Sequence, residues 1–148
     1  DEFEKKLRKR DYTGEELKGD PEYARLMAAF DKAVDIALAK EPCLIHDRVS
    51  KEDIEKRGYS CISAITYAND MDAKIVRAKL SPVYAGLDND EDVIRGIKEE
   101  DMIRINWHRA HSDTEWGVLS TYDVCINSDA FGRDYSAQML AKAMKAIE

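Results

Sequence analysis

"YSCISAITYANDMDAKIVRAKL", Tyr59–Leu80, decides how this chain reads. Its first part, 59–68, is an apolar, β-branched run with Gly58 in front, and its second, 70–80, reads as a helix. Two similar runs lie elsewhere: "CLIHD" at 43–47, just after a Glu41-Pro42 stop, and "TYDVCINS" at 121–128. Near-continuous apolar runs that alternate with helices mark the strands of a buried parallel sheet.

The helices around these runs have their own signals. Residues 1–20 are charged, carry Gly14 and Gly19, and read as a short helix and then a loop. Asp20-Pro21 opens the next helix, because Asp is a good N-cap and Pro suits the first helical position. Leu26, Phe30, Ala33, Val34, Ala37 and Leu38 follow at close to a 3.6-residue period. The last helix, from Gly132, gathers Tyr135, Met139, Leu140 and Met144 on one side. The order is helix, strand, helix, strand, helix, helix, strand, helix. That order predicts an α/β fold with a three-layer α/β/α arrangement and a parallel sheet. Three strands are few for such a sheet, so one or two are expected upstream. The expected organisation is a single domain over 1–148. Its start without Met suggests a fragment or a processed piece.

Composition narrows the function classes. The chain has 148 residues, 44% hydrophobic and 36% charged, and reads as a well-solvated globular domain. A net charge of −7 argues against a generic nucleic-acid partner. No apolar window is long enough for a membrane span, and "DEFEKKLRKRDYTGEE" lacks the apolar segment of a signal peptide. Cys43, Cys61 and Cys125 are odd in number and each lies in an apolar run. They read as buried free thiols in a reducing, cytoplasmic setting.

Ligands of open α/β sheets bind beyond the carboxyl ends of the strands. The three runs end at His46-Asp47-Arg48, at Thr66–Asp70 and at Asn127-Ser128-Asp129. Arg48 has the planar fork that meets an anion, or else pairs with Asp47. Along Ile97–Gly117, which reads as a helix, Asp101, Arg104 and His108 fall within about 60° of one another, in the direction of Ile94, Ile97 and Ile105. Two readings stand side by side. One is a helix surface held by internal ion pairs. The other is a basic face, Arg95, Lys98, Arg104, His108 and Arg109, that folds over a phosphate. His108 and His111 have a spacing that seats a metal on a helix, but no third ligand is apparent, so no metal site is expected. Gly14 and Gly19 have the glycine spacing of G-x-x-x-x-G-K-[ST]. Asp20 and Pro21 stand where Lys and Ser/Thr belong, and no apolar strand precedes, so this is no phosphate loop.

Ile97, Lys98, Asp101, Arg104 and Trp107, then Trp116-Gly117, Tyr122-Asp123, Asn127-Ser128 and Gly132, occur in the order seen in cytidylate-kinase-like proteins. These are a branch of the P-loop nucleoside monophosphate kinases. "EPCLIHDR" and "ISAITYANDMDAKIVRAKL" resemble two upstream pieces of that family, so the resemblance covers about residues 21–145. It implies a P-loop NTPase-like fold and phosphoryl transfer from ATP to a nucleotide such as CMP, with Mg²⁺ bridging phosphates. It implies that Lys98, Asp101 and Arg104 act from a mobile lid-like segment, 88–117. Arg48 is then expected near the acceptor nucleotide and Arg77 near the lid base. The partner implied is a small-molecule nucleotide. Two departures stand out: Asp47 replaces the family's Gly before Arg48, and these 148 residues lack the first strand and P-loop. The alternatives to an enzyme, weak or inactive as this fragment, are a non-catalytic nucleotide-binding or protein-interaction module and a scaffold without ligand.

Overall fold

The computed structural model describes residues 2–9, 11–40, 42–46 and 48–145, and is mixed α/β, mostly helical. Along the chain run α1 (Glu2–Lys9), α2 (Gly14–Lys18), α3 (Pro21–Leu38) and α4 (Lys51–Glu55). Then come β1 (Ala64–Tyr67), α5 (Met71–Lys79), α6 (Asp90–His111), β2 (Val124–Asn127), α7 (Ser128–Phe131) and α8 (Arg133–Met144). Two compact units emerge: one holds the chain up to Ser60 with Met102–Trp116, the other Cys61–Asp101 with Gly117 onward. The first part of α6 thus belongs to one unit and the rest to the other.

In the first unit each helix start is written in the sequence. Thr13 and Glu16 form a capping box for α2, and Ser50 and Asp53 form one for α4. Asp20 caps α3 through the Glu22 amide, with Pro21 in the first turn, as the Asp20-Pro21 signal predicts. The region 11–20 nonetheless contains α2 where a loop is expected: the Thr13 box supplies two of the hydrogen bonds that a five-residue helix lacks on its own. The core consists of Phe3 and Leu7 from α1, Leu17, Tyr23, and Ile103, Trp107 and Ala110 from α6; Leu26 and Phe30 pack against it. Phe30 meets the Trp107 ring edge-on at 5.4 Å. Arg57 pairs with both Asp31 and Asp35, fixing the end of α4 to α3.

In the second unit β1 and β2 pair in parallel, Ala64 opposite Val124 through Tyr67 opposite Asn127. The strands sit inside the runs 59–68 and 121–128, but each is only four residues long. Asp123 ties the strand starts together: its Oδ2 accepts from the Ser63 amide at 2.8 Å and from Ser63 Oγ at 3.0 Å. Asp70 caps α5 at the Ala73 amide. A second core forms from Ile75, Ala78 and Val93, with Tyr84, Leu87, Ile94 and Ile97 against it.

Three expectations are corrected. Residues 43–46 form no strand, and Asp47 lies outside the described residues. An apolar run becomes a strand only where a ladder partner takes its backbone groups; here Cys43 is exposed and Leu44 is 75% exposed. The thiols are free but not buried: Cys43 and Cys125 are exposed and Cys61 is intermediate. Cys125 falls on the open side of β2, where Ile126, one residue on, takes the buried one. The apolar side of α8 is likewise uncovered at Tyr135 and Met144. A two-stranded sheet offers too little surface to cover it. No helix among the described residues is long and apolar enough to cross a membrane.

Candidate functional site

In the second unit, the carboxyl ends of β1 and β2 open into a hollow of about 540 Å³. Thr66, Asp70, Arg77, Ser128, Asp129 and Arg133 line it. Local sequence chemistry builds it. Asn127 leaves β2 and caps α7, its side-chain oxygen accepting from the Asp129 amide at 3.0 Å. Ser128 Oγ donates to the Tyr67 carbonyl at 3.0 Å. Gly132 turns the chain into α8 with φ 72, a left-handed value that glycine takes without strain.

Asp129 is the clasp of this site. Its Oδ2 accepts from the Asn69 amide at 2.5 Å and from the Asp70 amide at 2.8 Å, joining the two strand ends. The Asp70 N–H above all, with the Asn69 N–H and the positive fields of Arg77 and Lys74, holds its carboxyl below the usual range, against a smaller opposing effect of burial. The carboxylates here are committed to backbone amides, Asp129 to two and Asp70 to its helix cap. The hollow's remaining charge is that of the guanidinium groups of Arg77 and Arg133, which suit a phosphate or carboxylate.

The clasp has a testable pH signature. A depressed carboxyl pKa contributes stability above the unfolded value and loses it as pH falls through the folded one. Asp129→Asn should therefore melt below the wild type at pH 7, with the gap closing only below about pH 4. A constant gap across that range, by circular dichroism, would show that the negative charge of Asp129 does not matter.

The five residues singled out in the sequence divide between the units. Arg77 lines the hollow just described. Lys98 is exposed and Asp101 half-buried on the first part of α6. Arg104, in the other unit, lies over the Trp116 ring at 5.7 Å, a cation–π contact. Arg48 has a φ of 58, rare for a residue with a Cβ, and its carbonyl accepts from Trp107 Nε1 at 3.1 Å. It borders a largely apolar hollow of about 480 Å³ walled by Phe3, Leu7, Phe30 and Trp107.

The basic face on α6 is not one face. Arg95 pairs with Asp92, and Arg109 with Asp11. His108 is buried, with Nδ1 2.8 Å from the Thr114 carbonyl. Burial pushes its pKa down, and the nearby His111 adds to this; the Thr114 carbonyl, Asp53 and Glu52 oppose it. Of the five residues assigned to that face, Arg95 pairs within the helix, while Arg109, Arg104 and His108 each engage a residue outside it. The strand-end pattern pointed to Asp129 without its role, and sequence reasoning missed Asp53 and Asn106. Asp129 had one usable signal, an Asp two residues past an apolar strand. Among the described residues no group of three or more His, Cys, Asp or Glu side chains is placed to hold a metal ion. No known protein family, curated protein or solved structure matches the chain.

Proposed function

We propose that the chain is a nucleotide-phosphate-binding part of a nucleoside-monophosphate-kinase-like phosphotransferase of P-loop NTPase-like fold, taking a pyrimidine nucleotide such as CMP as acceptor. The observation that carries this reading is the hollow beyond the paired parallel strands, with Arg77 and Arg133 at its wall and its carboxylates engaged by backbone. It lies where open α/β sheets hold ligands. The order of residues from Lys98 to Gly132 supports the acceptor class.

In this reading Arg77 meets a phosphate oxygen pair of the nucleotide held in the hollow. ATP and Mg²⁺ belong to the resemblance. The described residues form no cage for the ion, so it is assigned no protein ligand and no step. The 148 residues contain no G-x-x-x-x-G-K-[ST] loop, and this favours binding without turnover for the chain tested alone.

Calorimetric titration tests the reading. CMP should bind the wild-type chain, and Arg77→Ala should weaken it about tenfold or more, the usual loss for a charge-assisted contact. Cytidine, which lacks the phosphate, should bind both proteins equally weakly. Absence of CMP binding, or full binding by Arg77→Ala, would overturn the assignment.

A further inference from the structure

The end of α6 holds a buried ionisable cluster that phosphate binding does not use. His111 stacks 5.6 Å from His108, 5.6 Å from Trp107 and 5.6 Å from Phe30. Its Nδ1 is 2.6 Å from the Trp107 carbonyl, and its Nε2 is 3.2 Å from Asp53 Oδ2. That second contact is an ion contact without a well-aligned hydrogen bond, and Nε2 has no other partner. Asp53 also accepts from the Ser50 amide at 2.9 Å and from Ser50 Oγ at 2.8 Å.

The same cluster holds down the turn that follows α6. His108 Nδ1–H donates to the Thr114 carbonyl. Glu52 on α4 accepts from Ser112 Oγ at 2.9 Å and from the Asp113 amide at 3.0 Å. Glu52 is itself paired with Lys56 at 2.7 Å, and Lys56 with the Asp113 amide brings its carboxyl down to about 2. The charges facing His108 are therefore His111 on its own helix and Glu52 and Asp53 on α4. Lys56 answers Glu52, and the Ser50 amide and hydroxyl engage Asp53. A proton added to His108 finds no uncommitted carboxylate, and its ring is buried.

We propose that His108, His111 and Asp53 form a proton-sensitive latch that releases the turn Ser112–Trp116 on mild acidification. Charging His108 favours any arrangement that brings the ring to water. Reaching water means giving up the Thr114 contact and with it the turn. Trp116 lies in that turn, so opening also removes the ring beneath the Arg104 guanidinium. The sign follows from burial. His108 is harder to protonate folded than unfolded, so its contribution to stability is full above about pH 6.5 and is lost as pH falls through the folded pKa. The latch does not depend on the phosphate-binding reading.

Hydrogen exchange at the amides of Ser112, Asp113 and Thr114 tests it in the intact chain. After correction for intrinsic rates, protection should fall severalfold between pH 7.5 and 5.5, up to the roughly tenfold that one proton with an unfolded pKa near 6.5 can give, while amides of β1 and β2 keep theirs. His108→Gln should remove most of that pH response. Should that variant fail to fold, NMR titration of the wild-type histidine rings decides. The His108 ring should titrate with the same midpoint as the Thr114 and Trp116 amide shifts, and His111→Gln should raise that midpoint. Unchanged protection, a His108→Gln variant that still responds fully, or a ring that titrates without the turn would each overturn the latch.

Discussion

Replacing Asn106 by Ala is expected to lower the melting temperature of the first unit by roughly 8 °C or more, since about 2–5 kcal/mol is lost and each kcal/mol shifts a unit of about 60–100 residues by about 4–8 °C. Asn106 is 0% exposed. Its Oδ1 accepts from the Tyr12 amide at 2.9 Å, and its Nδ2 donates to the Leu7 carbonyl at 3.0 Å. One side chain thus satisfies a backbone acceptor near the end of α1 and a backbone donor in the connection to α2. Truncation leaves both without this partner, at about 1–3 kcal/mol for each group that stays buried and unpaired. Helix propensity works the other way, because Ala is the better helix former, but by only about 0.7 kcal/mol. The two effects have opposite signs, so the experiment separates them. Trp107 and Trp116 both lie in this unit, so a fluorescence melt reports on it directly. A variant that melts at or above the wild-type temperature would show that water or a shifted backbone replaces both bonds.

Asn106 also shows where the sequence could and could not be read. The helix expected over Ile97–Gly117 was legible only in part: apolar residues at helical spacing marked it, but it runs Asp90–His111, starting earlier and stopping before Ser112. The side it buries was not. The stripe drawn through Ile94, Ile97 and Ile105 assumes one straight face and one core. In the structure α6 gives Val93 to one core and Ile103, Trp107 and Ala110 to another, so the buried direction changes along the helix. Asn106 lies on the second stripe, between Ile103 and Ala110, and it looks like a surface residue only if the first stripe is extended. His108 does lie in the direction of the first stripe and is buried, so its apolar direction, not its charge, was the better guide.

The strands were legible as apolar runs, but their number was not. "CLIHD" has the same character as the runs that contain β1 and β2. Whether such a run joins a sheet depends on a partner strand, which local pattern does not encode. The strand ends did point to the hollow, and Arg77 was singled out through the resemblance rather than through its own surroundings. Asp123 and Asp129 were harder. Each acts across about sixty residues, on Ser63 and on the amides of Asn69 and Asp70. A carboxylate that serves a distant backbone amide looks, in sequence, like any solvated acid.

Gly14 and Gly19 give the second large effect. Gly14→Ala is expected to destabilise the first unit by about 1–3 kcal/mol or more, as overpacking against an unyielding neighbour does. A Cβ built on Gly14 meets the Arg109 carbonyl oxygen at 2.5 Å, and that neighbour is backbone of α6. Elsewhere in a helix the same change stabilises, by about 0.5–1 kcal/mol. Gly19 is the control. Its φ of −76 suits any residue, and an added Cβ finds the Glu15 and Glu16 carbonyls at an ordinary 3.6 Å. Gly19→Ala should be neutral or gain about 0.4–1 kcal/mol through the unfolded chain. A phosphate loop built on the same spacing predicts another pattern: both glycines would be needed to let backbone amides approach the ligand. Both substitutions would then abolish nucleotide affinity and leave the melting temperature alone. A loss of stability confined to Gly14, with CMP affinity unchanged in both variants, identifies Gly14 as the point where α2 approaches α6 and rules out a phosphate loop on the Gly14–Gly19 spacing.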